Sequence, residues 1–173
     1  EANVQIYATN RLRPNASQGG IVTAIVTETV RLANASSPQT ISYAPGQIRM
    51  GAVWNRYGEP SGGAVGEDWA RAFTHELGHY LFYLDDNYLG FQGDLLTPVT
   101  TCIGSAMTDP YREDYTEFLF AADWGSGCAT TLAAQTTGRA DWATLAHFYP
   151  ALATDPISTT LNPGPNNLPL AVT

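Results

Sequence analysis

The sequence predicts an α/β (α+β) domain: a mixed twisted sheet backed by one helix, a long central helix below a cleft, and a short C-terminal helix. Three observations lead there. Stretches of alternating or β-rich character (Val4 to Ala8, Ile41 to Tyr43, Ile48 to Tyr57) are interleaved with stretches of helical spacing. The strongest helical pattern runs from about Glu67 to Leu84. The 173 residues, 44% of them hydrophobic, suit one compact domain with a single core.

The elements follow in order. Val4 to Ala8 alternates around Ile6 and reads as a strand, and residues 10–20, with Pro14 and Gly19-Gly20, read as a loop. Ile21 to Leu32 carries apolar residues at Ile21, Ala24, Ile25, Val30 and Leu32, which predicts the backing helix. Its many Thr and Val residues keep a strand in competition. Strands at Ile41 to Tyr43 and Ile48 to Tyr57 are parted by Pro45-Gly46. A loop at Gly58 to Gly63 precedes the central helix, and Gly90 to Thr101 reads as an irregular connection. Tyr111 to Phe120 predicts a short helix with an acidic face, and Asp141 to Phe148 predicts another, ended by Pro150. Residues 1–155 form the expected domain, and 156–173, with Asn162-Pro163-Gly164-Pro165, the expected tail or linker.

Composition narrows the partners. The formal net charge is −8, and all eight basic residues are Arg, without a basic cluster, so nucleic acid is a poor partner. No apolar run reaches the roughly 18 residues that span a bilayer. Glu1-Ala2-Asn3 is not the start of a signal peptide, so the chain is expected to be a mature or excised piece. The two cysteines, Cys102 and Cys128, are expected to pair, which would stabilise by ~3–4 kcal/mol and favour a secreted, extracellular or periplasmic setting. Two free thiols are the alternative.

The chemistry concentrates in His75-Glu76-Leu77-Gly78-His79. Histidines four apart on a helix lie on one face, ~6 Å apart along the axis, so both imidazoles can reach one zinc ion at ~2.0–2.1 Å. Glu76 sits where its carboxylate can take a proton from a water held by that metal. The pattern arises by accident in roughly 1 in 200 chains of this length, and an otherwise apolar helix face (Ala72, Leu81, Phe82) gives two histidines little structural reason to be there. A catalytic zinc needs a third protein ligand and an open position. The sequence continues Tyr83-Leu84-Asp85-Asp86-Asn87-Tyr88. A continuous helix would carry Asp86 ~10 Å along the axis from His79, so the chain must turn after about Leu84 to bring an aspartate back.

Here the sequence resembles the metzincin clan of zinc metalloproteases, in which this motif is followed by a turn, a third ligand and a methionine turn. The usual clan spacing selects Asp85. A variant longer by one residue, similar to the metalloprotease domain of the calcium-activated chloride channel regulators and related bacterial secreted proteins, selects Asp86. His-Glu-Leu-Gly-His-Tyr at the start and Asp86-Asn87-Tyr88 at the end favour Asp86, with Asp85 kept as the alternative. The resemblance implies that Met107, in Cys102-Ile103-Gly104-Ser105-Ala106-Met107, forms the methionine turn. It also implies a metzincin-like sheet whose edge strand facing the cleft, here Ile48 to Tyr57, pairs with an extended substrate. Two positions depart from the family pattern. The glycine before the third ligand falls on Tyr83, or on Phe82 under the shorter spacing, and Asp109 stands where the clan often has Tyr, with Tyr111 as a replacement oxyanion stabiliser. The resemblance covers roughly residues 66–150.

The resulting expectation is a zinc-dependent endopeptidase acting on a protein or peptide, with one catalytic ion, ligands His75, His79 and Asp86, and Glu76 as general base. The alternatives are an inactive binding or adhesion module with the same fold, and a non-proteolytic zinc amidase. Glu113 or Glu117 could instead supply a third ligand from a later helix, His147 reads as a surface or core residue, and Ser105 has no base beside it in sequence. Asn15-Ala16-Ser17 and Asn34-Ala35-Ser36 fit the glycosylation pattern.

Overall fold

A computed structural model describes residues 3–9, 11–32, 36–56 and 67–153. Asn34, the loop at Gly58 to Gly63 and the 156–173 tail lie outside them. The described chain is α+β, with three small sheets and four α-helices. The principal sheet has the order β1 (Val4–Tyr7), β5 (Ile48–Gly51), β2 (Asn15–Ala16). β1 runs parallel to β5, with Val4 opposite Ile48, and β2 runs antiparallel on the other side, with Ala16 opposite Ile48. β3 (Val26–Val30) and β4 (Gln39–Tyr43) form an antiparallel hairpin.

Two expectations need correcting here. No helix covers Ile21 to Leu32. The run Val26-Thr27-Glu28-Thr29-Val30 pairs residue for residue with β4, because β-branched side chains lose less freedom on a pleated surface than in a helix. The separate backing helix expected from residues 21–32 is therefore absent among the described residues. The strand at 48 is also shorter than expected and is not an edge. It stops at Gly51, and β1 and β2 flank it on both sides at Ile48 and Arg49. Its buried residues Ile48, Met50 and Gly51 are those of a central strand.

The central helix, α1 (Glu67–Phe82), lies on this sheet. Ile48 and Met50 are fully buried against Ala72 and Tyr80, with Trp69, Phe73 and Leu77 around them. The Trp69 indole N–H donates to the Gly51 carbonyl at 3.0 Å and its ring stacks on Phe73, which fixes the helix over the end of β5.

Beyond α1 the connection expected to be irregular is a second hairpin, β6 (Leu89–Gln92) and β7 (Leu95–Pro98). Gly93, at φ 63°, takes the first position of its two-residue turn, where the twist of a hairpin calls for positive φ. The segment Tyr111 to Phe120 is not helical. The Asp109 carboxylate accepts from the Tyr111 amide, the Asp109 carbonyl from the Arg112 amide and the Arg112 carbonyl from the Tyr115 amide, so the chain takes successive turns instead. α2 (Ala121–Trp124) and α3 (Leu132–Thr136) are short, and α4 (Asp141–Phe148) matches its expected bounds. Cys102 and Cys128 are joined in a disulfide, buried beside Val99. A second core, of Leu84, Met107 and Leu145, joins the end of α1 to α4.

A candidate metal centre

The site begins where α1 ends. A helix leaves its last carbonyls without intrahelical partners, and here several find one outside the helix. The Gly78 carbonyl accepts from the Leu84 amide, His79 from the Gly19 amide, Tyr80 from the Ile21 amide, and Leu81 from the Tyr149 hydroxyl. The helix stops because Tyr83 adopts φ 62°, the left-handed conformation that glycine takes most easily. This costs a tyrosine ~1–2 kcal/mol. The ring offsets it by stacking on Phe148 at 3.7 Å and meeting Tyr43 edge-on at 4.9 Å. The turn that a glycine would permit is thus made by a buried aromatic.

That turn carries Asp86 back over the helix. Its Oδ1 lies 3.1 Å from His75 Nε2 and 3.1 Å from His79 Nε2, and the two Nε2 atoms are 3.2 Å apart. Donors placed ~2.0–2.1 Å from one ion at tetrahedral angles would be ~3.3 Å apart, so the triangle has the dimensions of a metal's coordination face. Among the described residues, His75, His79 and Asp86 are the group that could hold a metal ion.

The other ring nitrogens show which atoms face inward. His75 Nδ1 is 2.8 Å from the Ala106 carbonyl, and His79 Nδ1 is 2.7 Å from the Leu84 carbonyl. A carbonyl only accepts, so both Nδ1 atoms carry the proton. Neutral rings then point two Nε2 lone pairs at each other and at a carboxylate. Three acceptors at contact distance repel unless a cation lies among them, and a metal satisfies all three. A proton held on the rings is the partial substitute. Burial disfavours the His79 imidazolium, but Asp86 beside it prevails and pushes its pKa up to about 9. For Asp86, burial is outweighed by His75 and His79, which hold the carboxyl well below the usual range.

Asp85, one residue earlier, faces away from this cluster. Its carboxylate accepts from Gln18 Nε2 at 2.9 Å and is 3.4 Å from Thr136 Oγ1. The same Gln18 nitrogen donates to the Tyr83 carbonyl, so Gln18 clamps the turn from the β2 side.

A cleft of about 470 Å³ opens over the triangle, lined by His75, Glu76, His79, Asp86, Tyr88 and Tyr111, with Arg13 to Ala16 along one wall. The edge of the sheet that borders this cleft is therefore β2, not the strand at 48. Glu76 is 7% exposed, and burial raises its pKa above the usual value, against the pull of His79 and His75. No hydrogen bond from a described residue reaches its carboxylate. A buried carboxylate open only toward a cleft is suited to exchanging protons with what the cleft holds. Burial, helped by the charge of Asp86, pushes the Tyr88 hydroxyl well above its usual pKa, and its ring lies 6.2 Å from that of His75. The Tyr111 hydroxyl oxygen accepts from the Trp54 indole at 2.9 Å.

A buried knot supports the ligands from below. Asp141, 2% exposed at the start of α4, accepts from Asn87 Nδ2 at 3.0 Å, Ser105 Oγ at 2.7 Å and the Leu119 amide at 2.9 Å. The Asn87 amide donates to the Met107 carbonyl, and the Met107 amide to Ser105 Oγ. The turn Ser105 to Met107 is thereby fixed, and its Ala106 carbonyl orients His75. Met107 is fully buried, with its sulfur against α1 at Gly78, where an added Cβ would lie 2.5 Å from Sδ. Gly78 and Met107 are thus matched positions.

The structure brings His75, Glu76, His79 and Asp86 together at one cleft and seats Met107 beneath the helix. It leaves Glu113 and Glu117 exposed and outside the cluster, and sets His147 against Glu28 at 2.9 Å. The roles of Gln18, Asp141, Ser105 and Gly78 escape a sequence reading. The one available signal is Gly78, a glycine inside a helix, where a packing reason is expected. None of the described helices is long and apolar enough to cross a membrane. No protein-family model matches the chain, and no curated protein or solved structure matches it.

Proposed function

We propose that this chain is the catalytic domain of a secreted zinc endopeptidase of the metzincin kind. One observation carries the reading: three acceptor atoms converge at 3.1–3.2 Å with both Nδ1 protons already committed, and an unpartnered carboxylate, Glu76, stands beside them. A donor set of two imidazoles and one carboxylate suits zinc. It suits ferrous iron as well, but a neighbouring buried base favours hydrolysis. The disulfide agrees with an oxidising compartment.

Zinc, when bound, supplies a Lewis acid for the scissile carbonyl and lowers the pKa of a water toward ~7. The protein's residues supply the rest. His75 and His79 are held by backbone carbonyls so that Nε2 faces the cleft. Glu76 takes a proton from the attacking water and delivers it to the leaving amine. The Tyr111 hydroxyl, its oxygen already accepting from Trp54, keeps its own proton for the oxygen that gains charge. An extended peptide is received along the free edge of β2, where backbone bonds give affinity.

The test is hydrolysis of an unfolded protein substrate by the zinc-loaded chain. Cleavage is expected, with loss on chelation and recovery on adding zinc. Cleavage that survives complete metal removal contradicts the reading, and cleavage of small amides alone supports the amidase alternative. Binding of proteins without turnover supports the adhesion module.

A further inference from the structure

The cleft lining holds one guanidinium. Arg13 precedes β2 and is fixed through its backbone: the buried Pro14 follows it, Asn15 Nδ2 donates to its carbonyl at 3.0 Å, and Asn15 and Ala16 pair with β5. Arg13 lines the same cleft as Glu76, Tyr88 and Tyr111, so it faces the same space as the catalytic groups. The side chain is exposed, and no described residue forms an ion pair or hydrogen bond with its guanidinium. Other arginines are engaged. Arg56 is clamped on Asp68 at 2.8 Å and on the Tyr111 carbonyl, and Arg139 is paired with Glu28 at 2.7 Å. The remaining acid in the lining, Asp109, accepts from the Tyr111 amide.

A guanidinium with no partner among the described residues, on a constrained stretch of backbone at a cleft, suits a planar partner with two acceptor oxygens, because its fork of N–H groups matches a carboxylate. The chain carries a formal charge of −8, so acidic substrates are not drawn to it from a distance, and any preference for them must arise at contact. We propose that Arg13 is a specificity-determining residue that binds a substrate carboxylate near the scissile bond, so that the enzyme prefers peptides bearing Asp or Glu there. The proposal rests on the peptidase reading above. The carboxylate can belong to a side chain or to a free C-terminus, and the test separates these.

Amidated peptides carrying a single Glu, Gln or Lys, scanned from three positions before to three after the scissile bond, are cleaved by the zinc-loaded chain, alongside one free-acid peptide. At one position Glu is expected to exceed Gln by about tenfold in kcat/KM. Arg13→Gln brings that ratio to about one, Arg13→Glu shifts it toward Lys, and Arg13→Lys keeps part of it. A preference for the free acid alone assigns the carboxylate to the C-terminus. No carboxylate preference in the unmodified chain overturns the proposal, and so does a ratio that Arg13→Gln leaves unchanged while all rates fall together. If the unmodified chain cleaves none of these peptides, the peptidase reading fails first. Fluorescence anisotropy with the zinc-loaded Glu76→Gln chain then still reads Arg13: tighter binding of the Glu peptide, abolished by adding Arg13→Gln, is expected, and equal binding of Glu and Gln peptides overturns the assignment.

Discussion

Asp86 and Asn87 are neighbours in the chain and lead into two polar clusters of opposite kinds. The Asp86 carboxylate faces two histidine nitrogens that are acceptors, at 3.1 Å each, and the group is complete only with a cation. The Asn87 side chain enters a knot in which the Asp141 carboxylate receives three donors, although burial still raises its pKa. Both clusters contain a desolvated acid. What separates a site from a support is the sign of the surroundings, since a buried acid given donors is satisfied and one set against acceptors is not.

Substitutions in the two clusters should therefore fail in different ways. Asp86→Ala removes a ligand and is expected to weaken zinc binding by more than ~10²-fold in chelator competition, whereas Asp85→Ala, which loses bonds to Gln18 and Thr136, weakens it far less. A reversed order would make Asp85 the ligand. Glu76→Gln keeps the metal and the fold but should lower peptide hydrolysis by at least ~10²-fold. Near-normal turnover of a metal-loaded Glu76→Gln chain would leave the site without its base. In the knot, Asp141→Ala strands three donors and should cost about 3 kcal/mol in denaturant unfolding. It should move metal affinity much less than Asp86→Ala does. An Asp141→Ala chain as stable as the parent would show that the knot is dispensable.

The turn between the clusters gives a smaller effect of predictable sign. Tyr83→Gly relieves ~1–2 kcal/mol of left-handed strain but discards a ring worth ~3–5 kcal/mol in a packed setting. Net destabilisation by about 2 kcal/mol is expected, and a stabilised variant would mean that the stacking on Phe148 and Tyr43 contributes little. The smallest effect lies farthest away. Burial raises the Glu28 pKa, but hydrogen bonds from Arg139 and Tyr43 prevail and hold it below the usual range. A depressed carboxyl stabilises the fold above its unfolded value of ~4.3, and that contribution is lost as pH falls through the folded value. The stability difference between the parent and Glu28→Gln should therefore be about 1 kcal/mol at pH 7 and shrink below about pH 4. A difference that does not change with pH would remove the ionic part of that network.

The metal triangle was legible in sequence because helical periodicity places His75, Glu76 and His79 locally, and because a turn was needed to return an aspartate. The disulfide and α4 were legible for similar reasons, from a lone cysteine pair and a short apolar run between Asp141 and Pro150. The missing glycine raised a difficulty that only packing resolves, since nothing near Tyr83 in sequence announces Phe148 and Tyr43. The segment 21–32 misled because apolar residues at roughly helical spacing, from Ile21 to Leu32, surround a β-branched run, Val26 to Val30, and the partner that decides for strand, β4, lies nine or more residues further on. The order of the sheet was illegible, since a two-residue strand at Asn15–Ala16 has no period to detect. Asp141 appeared only as a helix-starting acid, because its three donors come from distant points in the chain.

The most direct measurement is anomalous X-ray scattering at the zinc edge from crystals of the zinc-loaded chain. The account predicts one strong peak, ~2.0–2.1 Å from His75 Nε2, His79 Nε2 and an Asp86 carboxylate oxygen, with Glu76 beside it and not bound. A peak ligated by Asp85, or no peak at the triangle in zinc-saturated crystals, would contradict it.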